Sequence, residues 1–273
     1  MKGVVSQRSV LSSTADDGAA HWDERARLAY VHRGERIYTI TPVPFYLARR
    51  ALLLRVMDEY LPARGRVCDY GCGDGWYLRH FSANRPELAF TGVDVSAEML
   101  RQSAEKVPGA TLHLAAEDWG DDFDLIYCLA VLAHVDDQLL GDILRSWHGR
   151  LRPGGRVLIF EQVGAFPTRG PTYVRRTAAE YLQAFQAQGF EPESARRISF
   201  DVHRWFERFI AKPMYARCYA GENDTTRRLA ANRSAMFRTL SRLAVALSPF
   251  PLRRNLQGFG NAVMVFRKKG VAQ

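Results

Sequence analysis

The chain has 273 residues, 47% hydrophobic and 25% charged, a balance that fits one large buried core with an elaboration and excludes a low-complexity or charge-rich disordered chain. No run of about 18 apolar residues occurs and the first 25 residues hold no apolar segment of signal-peptide length, so neither a membrane-crossing helix nor export is expected. The net charge of +9 is uneven: residues 196–273 carry 16 Lys+Arg against 4 Asp+Glu, and the rest of the chain 22 against 25.

Cys68, Cys72, Cys128 and Cys218 lack CxxC spacing and disulfide-scaffold density, which points to a reducing, cytoplasmic setting. Residues 1–20 are small and polar without a hydrophobic period and are expected to lack order. Residues 21–62 show helical spacing interrupted by TPVPF at 41–45, because proline does not fit a helix interior. These helices are expected to form a lid, with Tyr30, Tyr38 and Tyr46 offering an aromatic, hydrogen-bonding surface to a substrate.

From 63 to 202 short apolar runs alternate with amphipathic segments. RVCDY (66–70), AFTGVDV (89–95), ATLHLA (110–115), FDLIYCLAV (123–131) and RVLIFEQV (156–163) read as strands. WYLRHFSANR, AEMLRQSAEKV and DQLLGDILRSWHGRL between them read as helices. This order predicts right-handed βαβ crossovers and a doubly wound, mostly parallel α/β sheet. A further helix ends at Gly189 before a sixth strand, and GNAVMVFRK (260–268), within 259–273, supplies the last strand. Residues 203–258 form a basic, largely helical insertion, in which Met236, Leu240, Leu243 and Leu247 recur on one helical face. That face has three uses open to it: burial in the monomer, contact with a second copy, or rest on a lipid surface.

The stretch VCDYGCGDGW, 67–76, ends one strand and opens a helix, where main-chain atoms can meet a ligand at strand C-termini and a helix N-terminus together. About twenty residues on, Asp94 closes the second strand, placed to accept hydrogen bonds from ribose hydroxyls. Trp76 stands where a dinucleotide fingerprint needs its third glycine, which argues against a pyrophosphate.

The spacing G-x-G-x-G after an acidic strand end resembles the class I S-adenosylmethionine-dependent methyltransferases, and the resemblance runs from about 67 to 192. It implies a Rossmann-like seven-stranded fold and S-adenosylmethionine as cofactor, with S-adenosylhomocysteine as product. It also implies that Gly71, Cys72 and Gly73 form the cofactor loop and that Asp69 lies near the methionyl amine. Asp94 corresponds to the ribose-binding acid, and Val95 and Met99 to the adenine pocket. In LAAEDW, Glu117 and Asp118 resemble the acids near the adenine amino group, with Trp119 able to pack on the ring. Cys128, Leu129 and His134 would lie beside the cofactor, and Pro153, Gly154 and Gly155 would turn the chain before the fifth strand.

Candidate general bases are His134, Glu161, Tyr173 and His203, no motif forcing the choice. Asp121, Asp122 and Asp124 read as a polar loop, so no metal is expected. The favoured acceptor is a small molecule or saccharide, with the insertion selecting it; Arg204 and Arg253 would meet an anionic one. RNA is the weaker acceptor, because the arginines are spread along helices and no stacking motif appears. Binding of the cofactor without turnover is the third alternative, and a homodimer is compatible with the amphipathic insertion.

Overall fold

The computed structural model describes residues 15–27, 30–32, 35–37, 43–170, 173–198, 205–214, 234–247, 252–253, 256 and 260–270. They fall into two compact units, one of residues 1–27, 61–197 and 254–273, the other of 28–60 and 198–253. The segment expected as one lid is thus divided: its first helix belongs with the sheet, and the remainder clusters with the insertion.

The first unit holds α1 (Ala15–Arg27), β3 (Gly65–Tyr70), α3 (Trp76–Asn84), β4 (Leu88–Asp94), α4 (Ala97–Lys106), β5 (Thr111–Leu114) and β6 (Phe123–Leu129). It continues through α5 (Asp137–Arg150), β7 (Leu151–Val163), the short hairpin β8 (Thr168–Arg169) and β9 (Val174–Arg175), α6 (Ala178–Ala187), β10 (Phe190–Ile198) and β12 (Gly260–Lys268). Seven of these strands form a sheet in the order β10-β12-β7-β6-β3-β4-β5. The pairs β3–β4, β3–β6, β4–β5 and β6–β7 are parallel and β12 runs antiparallel to β7. The chain crosses back after β5 to lay β6 on the other side of β3, so the strand order reverses between β3 and β6, the place in such sheets where ligands collect.

Side chains alternate across the sheet as the pleat requires. Cys68, Ile126, Cys128, Val157 and Ile159 face α5 and α6, where Trp147, Tyr181 and Phe185 complete the core and Phe185 stacks on Phe266 at 3.8 Å. Tyr127 faces the other way, meeting Phe81 of α3. Helix starts are set by side-chain caps: Ser96 accepts from the Met99 amide, Asp136 from the Leu139 amide, and Thr177 with Glu180 forms a reciprocal capping box.

Two expectations change. Residues 15–20 are helical as the start of α1, although their composition carried no period; contacts made by Trp22 and Asp23, described below, supply what local pattern did not. The turn expected at Pro153–Gly155 is a bulge inside β7: Phe123 pairs with Leu151 and Leu125 with Arg156, leaving Asp124 of β6 opposite residues 152–155.

The second unit contains the hairpin β1 (Tyr30–His32) and β2 (Glu35–Ile37), α2 (Val43–Asp58), a helical stretch at 205–214 with a π-turn at Glu207–Ala211, α7 (Ala235–Leu247) and β11 (Leu252–Arg253). Pro44 sits in the first turn of α2, where its missing N–H costs nothing. The core here is small: Phe45, Phe206, Ala211, Phe237 and Ala244, with Phe206 5.5 Å from Phe45 and 5.6 Å from Phe237 between ring centroids.

Candidate functional site

The glycine loop after β3 is held by its own main chain: the Gly71 and Cys72 amides donate to Val93 O at 2.7 and 3.0 Å. Gly71 and Gly73 are glycine for different reasons. A Cβ at Gly71, with φ +78°, would lie 2.2 Å from Val131 Cγ2, so the loop touches the turn that follows β6. Gly73, at φ +54°, would meet nothing within 4 Å, which leaves an open cradle of main-chain atoms on that side.

Two carboxylates bound this cradle. Asp94 accepts from the Gly73 amide at 2.8 Å and from the Ser96 amide at 2.9 Å, and burial raises its pKa while these bonds oppose the rise. Each carboxylate oxygen retains a lone pair for a ribose hydroxyl. Asp69 is buried, and Oδ2 has no hydrogen-bond partner among the described residues. The Tyr127 hydroxyl lies beside it without reaching hydrogen-bond geometry. Burial, then the Asp94 and Asp74 charges, push the Asp69 carboxyl well above its usual range. An orphaned buried carboxylate oxygen suits an ammonium group, and the open cradle suits a chain lying against the backbone, so these residues fit S-adenosylmethionine.

The turn at 131–135 is clamped from both sides. Glu161, fully buried near the end of β7, accepts from the Val131 amide at 2.9 Å and the Leu132 amide at 2.7 Å. Arg176, 1% exposed, donates to Leu132 O at 2.8 Å, Val135 O at 2.7 Å and Asp137 Oδ1 at 2.9 Å. Burial pushes the Glu161 carboxyl up to about 7 against the opposing amide bonds. The turn so fixed presents His134, whose ring meets Trp22 of α1 edge-on at 5.0 Å and Tyr173 at 5.7 Å. Tyr173 donates its hydroxyl to Gln162, beside Glu161.

α1 reaches the site a second way. Asp23 Oδ1 accepts from the Glu98 amide at 3.2 Å and from the Ser96 hydroxyl, at the start of α4 and next to Asp94. Trp22, Asp23, Gln162 and Arg176 escape a sequence reading. The first two lie in a segment without motif, and Arg176 is one arginine among many; Asp23, in the helical WDER run, is the only one with a usable signal.

The structure therefore brings together Asp69, Gly71, Cys72, Gly73 and Asp94, and separately His134, Tyr173 and Glu161 around the adjoining turn. Met99 is buried in the first turn of α4 and Val95 is half-buried beside Asp94. Glu117 is exposed and accepts from the Leu114 amide at 3.0 Å. Asp118 and Trp119 depart from expectation. Asp118 pairs with Arg150 at 2.7 Å, at the edge where β6 and β7 begin, which is the edge opposite the strand ends that carry the cradle. Trp119 is buried between Tyr70 and Phe123 with the Arg150 guanidinium 4.3 Å over its ring, so it offers no open face. Cys128 also points into the core, with Leu129 half-buried after it. Tyr46 lies in the second unit under the Arg50 guanidinium at 4.3 Å. Tyr30 and Arg253 fall in the short strands β1 and β11; Tyr38, His203 and Arg204 lie outside the described residues.

A doubly wound sheet with a glycine cradle between two buried carboxylates defines a nucleoside-cofactor-binding domain of the methyltransferase type. Residues 45–209 match the methyltransferase domain family, and the chain belongs to it. It is similar to the trans-aconitate 2-methyltransferase of Streptomyces avermitilis, 34% identical over 135 residues covering 46% of this chain and 49% of that protein. It is also similar to the cyclopropane-fatty-acyl-phospholipid synthase of Escherichia coli K12, 27% identical over 183 residues covering 60% and 47%. The chain spans about half the length of these curated relatives. Among solved structures, the 4+2 cyclase SpnF aligns with TM-score 0.63 at 18% identity, covering 96% of this chain and all of that one. The Haemonchus contortus phosphoethanolamine N-methyltransferase 2 aligns with TM-score 0.56 at 18% identity, covering 98% and 61%. At these identities the likeness to the two structures is one of fold.

Proposed function

We infer that the protein transfers a methyl group from S-adenosylmethionine to an oxygen or nitrogen atom of a small-molecule acceptor, anionic in character. One observation carries this reading: the turn bearing His134 abuts the glycine loop through Val131 and Gly71, so an acceptor-side group and the cofactor cradle adjoin. When bound, S-adenosylmethionine supplies an electrophilic methyl on a cationic sulfur.

The remaining work falls to side chains of this chain. Asp94 binds ribose hydroxyls and Asp69 the ammonium. His134 takes the proton that a hydroxyl or amine acceptor atom sheds on methylation, the acceptor's carboxylate having none to give, and Trp22 and Tyr173 fix its ring and keep water from it. Glu161 and Arg176 hold the turn in register through its main-chain atoms. The similarity to trans-aconitate 2-methyltransferases supports a small organic acid ahead of a saccharide.

The test incubates the protein with methyl-labelled S-adenosylmethionine and separate pools of organic acids, sugars and RNA. Label is expected in the acid pool, on a hydroxyl or amine atom, with His134→Asn lowering its rate by roughly a hundredfold while cofactor affinity holds. Label confined to RNA, or an unchanged rate in His134→Asn, would overturn the reading.

A further inference from the structure

Among the described residues, seven large hydrophobic side chains are exposed, and five of them lie in the second unit, which holds about a third of the chain. Four are more than half exposed: Trp205 at 54%, Phe209 at 58%, Met236 at 60% and Leu243 at 57%. In α7 the small core takes Phe237, Ser241 and Ala244, burying a serine whose hydroxyl must be satisfied by Phe237 O at 2.7 Å, while Leu243, two positions away, faces out. Of the stripe that the sequence shows, Leu240 packs against this core and Met236 and Leu243 face out. In the 205–214 stretch Phe206 and Ala211 go inward, and Trp205 and Phe209 form an outward pair with centroids 5.8 Å apart.

Cations accompany these side chains. The second unit carries 15 Lys+Arg against 7 Asp+Glu, so +8 of the chain's +9 belongs to it. The Arg208 guanidinium sits over the Phe209 ring at 5.5 Å, and Arg208, Lys212 and Arg242 are exposed in the same two helices as the apolar side chains. Aromatic and aliphatic side chains with cations beside them meet both layers of a bilayer surface, the apolar parts entering the acyl boundary and the cations reaching phosphates. Nucleic acid satisfies only half of this, since Met236 and Leu243 gain nothing from phosphates. A symmetric contact with a second copy would set two like-charged faces together.

We propose that the second unit docks on a membrane surface bearing anionic lipid, through Trp205, Phe209, Met236 and Leu243 with Arg208 and Lys212. This goes beyond the methyl-transfer reading and stands without it. The full chain is tested by flotation with vesicles of phosphatidylglycerol and phosphatidylcholine in equal parts, and with phosphatidylcholine alone. Binding to the first and not the second is expected, weakened by salt. Arg208→Gln with Lys212→Gln should lower it by about thirtyfold, at about 1 kcal/mol for each cation near the surface. Trp205→Ser with Phe209→Ser should lower it at least tenfold, with an unchanged melting temperature as the control for folding. Equal affinity for both vesicles, no loss in the serine variant, or a concentration-dependent dimer that shields Trp205 from a soluble quencher would overturn the proposal.

Discussion

Replacing Glu161 by glutamine separates the clamp on the His134 turn from the charge that clamp carries. Unfolded, this carboxyl ionises near 4.5; folded, burial lifts it to about 7. Between those values the native state retains a proton that the unfolded chain has released, so stability is complete below about 4.5 and falls as pH rises through 7. At about 1.4 kcal/mol per unit the loss comes to about 3 kcal/mol, fully incurred above neutrality. Glutamine keeps an oxygen to accept from the Val131 and Leu132 amides and never ionises. Urea unfolding followed by far-ultraviolet circular dichroism should therefore find Glu161→Gln within about 1 kcal/mol of the parent at pH 5 and about 3 kcal/mol more stable at pH 8. A difference that does not change with pH, or a variant less stable at pH 8, would refute the burial argument.

Three further perturbations test other parts of the site. Asp69 must ionise to hold an ammonium, and burial raises its pKa, so S-adenosylmethionine affinity should climb as pH rises through the raised range, with a proton released on binding below it; calorimetry in buffers of different ionisation enthalpy, repeated across pH, reads this directly. Gly71→Ala meets Val131 and should cost about 3 kcal/mol of stability, whereas Gly73→Ala should cost about 1 kcal/mol for its backbone and instead weaken cofactor binding, a split visible by comparing urea unfolding with titration. Arg176→Met removes the donors to Leu132 O and Val135 O and should destabilise by about 3 kcal/mol, with the Trp22 emission shifting as the His134 turn loosens.

The alternating sheet and helix pattern was legible because parallel strands buried on both faces leave near-continuous apolar runs, as in FDLIYCL and RVLIFEQV. The cradle was legible for the same reason: glycines and Asp69 and Asp94 are fixed by strand ends. Asp118 and Trp119 misled because the loop after β5 drops back to the far edge of the sheet within a few residues, where Arg150 captures both, and nothing local announces that pairing. The clamp on the turn was invisible because Glu161 and Arg176 act on main-chain atoms 29 to 44 residues away in sequence. In α7 the period was legible and its use was not: Leu240 packs on the small core while Met236 and Leu243 face out, since period alone does not say which side a small core will take.

The most direct test of the account is calorimetric titration of S-adenosylmethionine and S-adenosylhomocysteine into the parent chain and into Asp94→Ala. One saturable site for both ligands is expected in the parent, with affinity lower by at least about a hundredfold in the variant, which loses both the ribose acceptor and the tie to Gly73. No binding to the parent, or equal binding to Asp94→Ala, would contradict it.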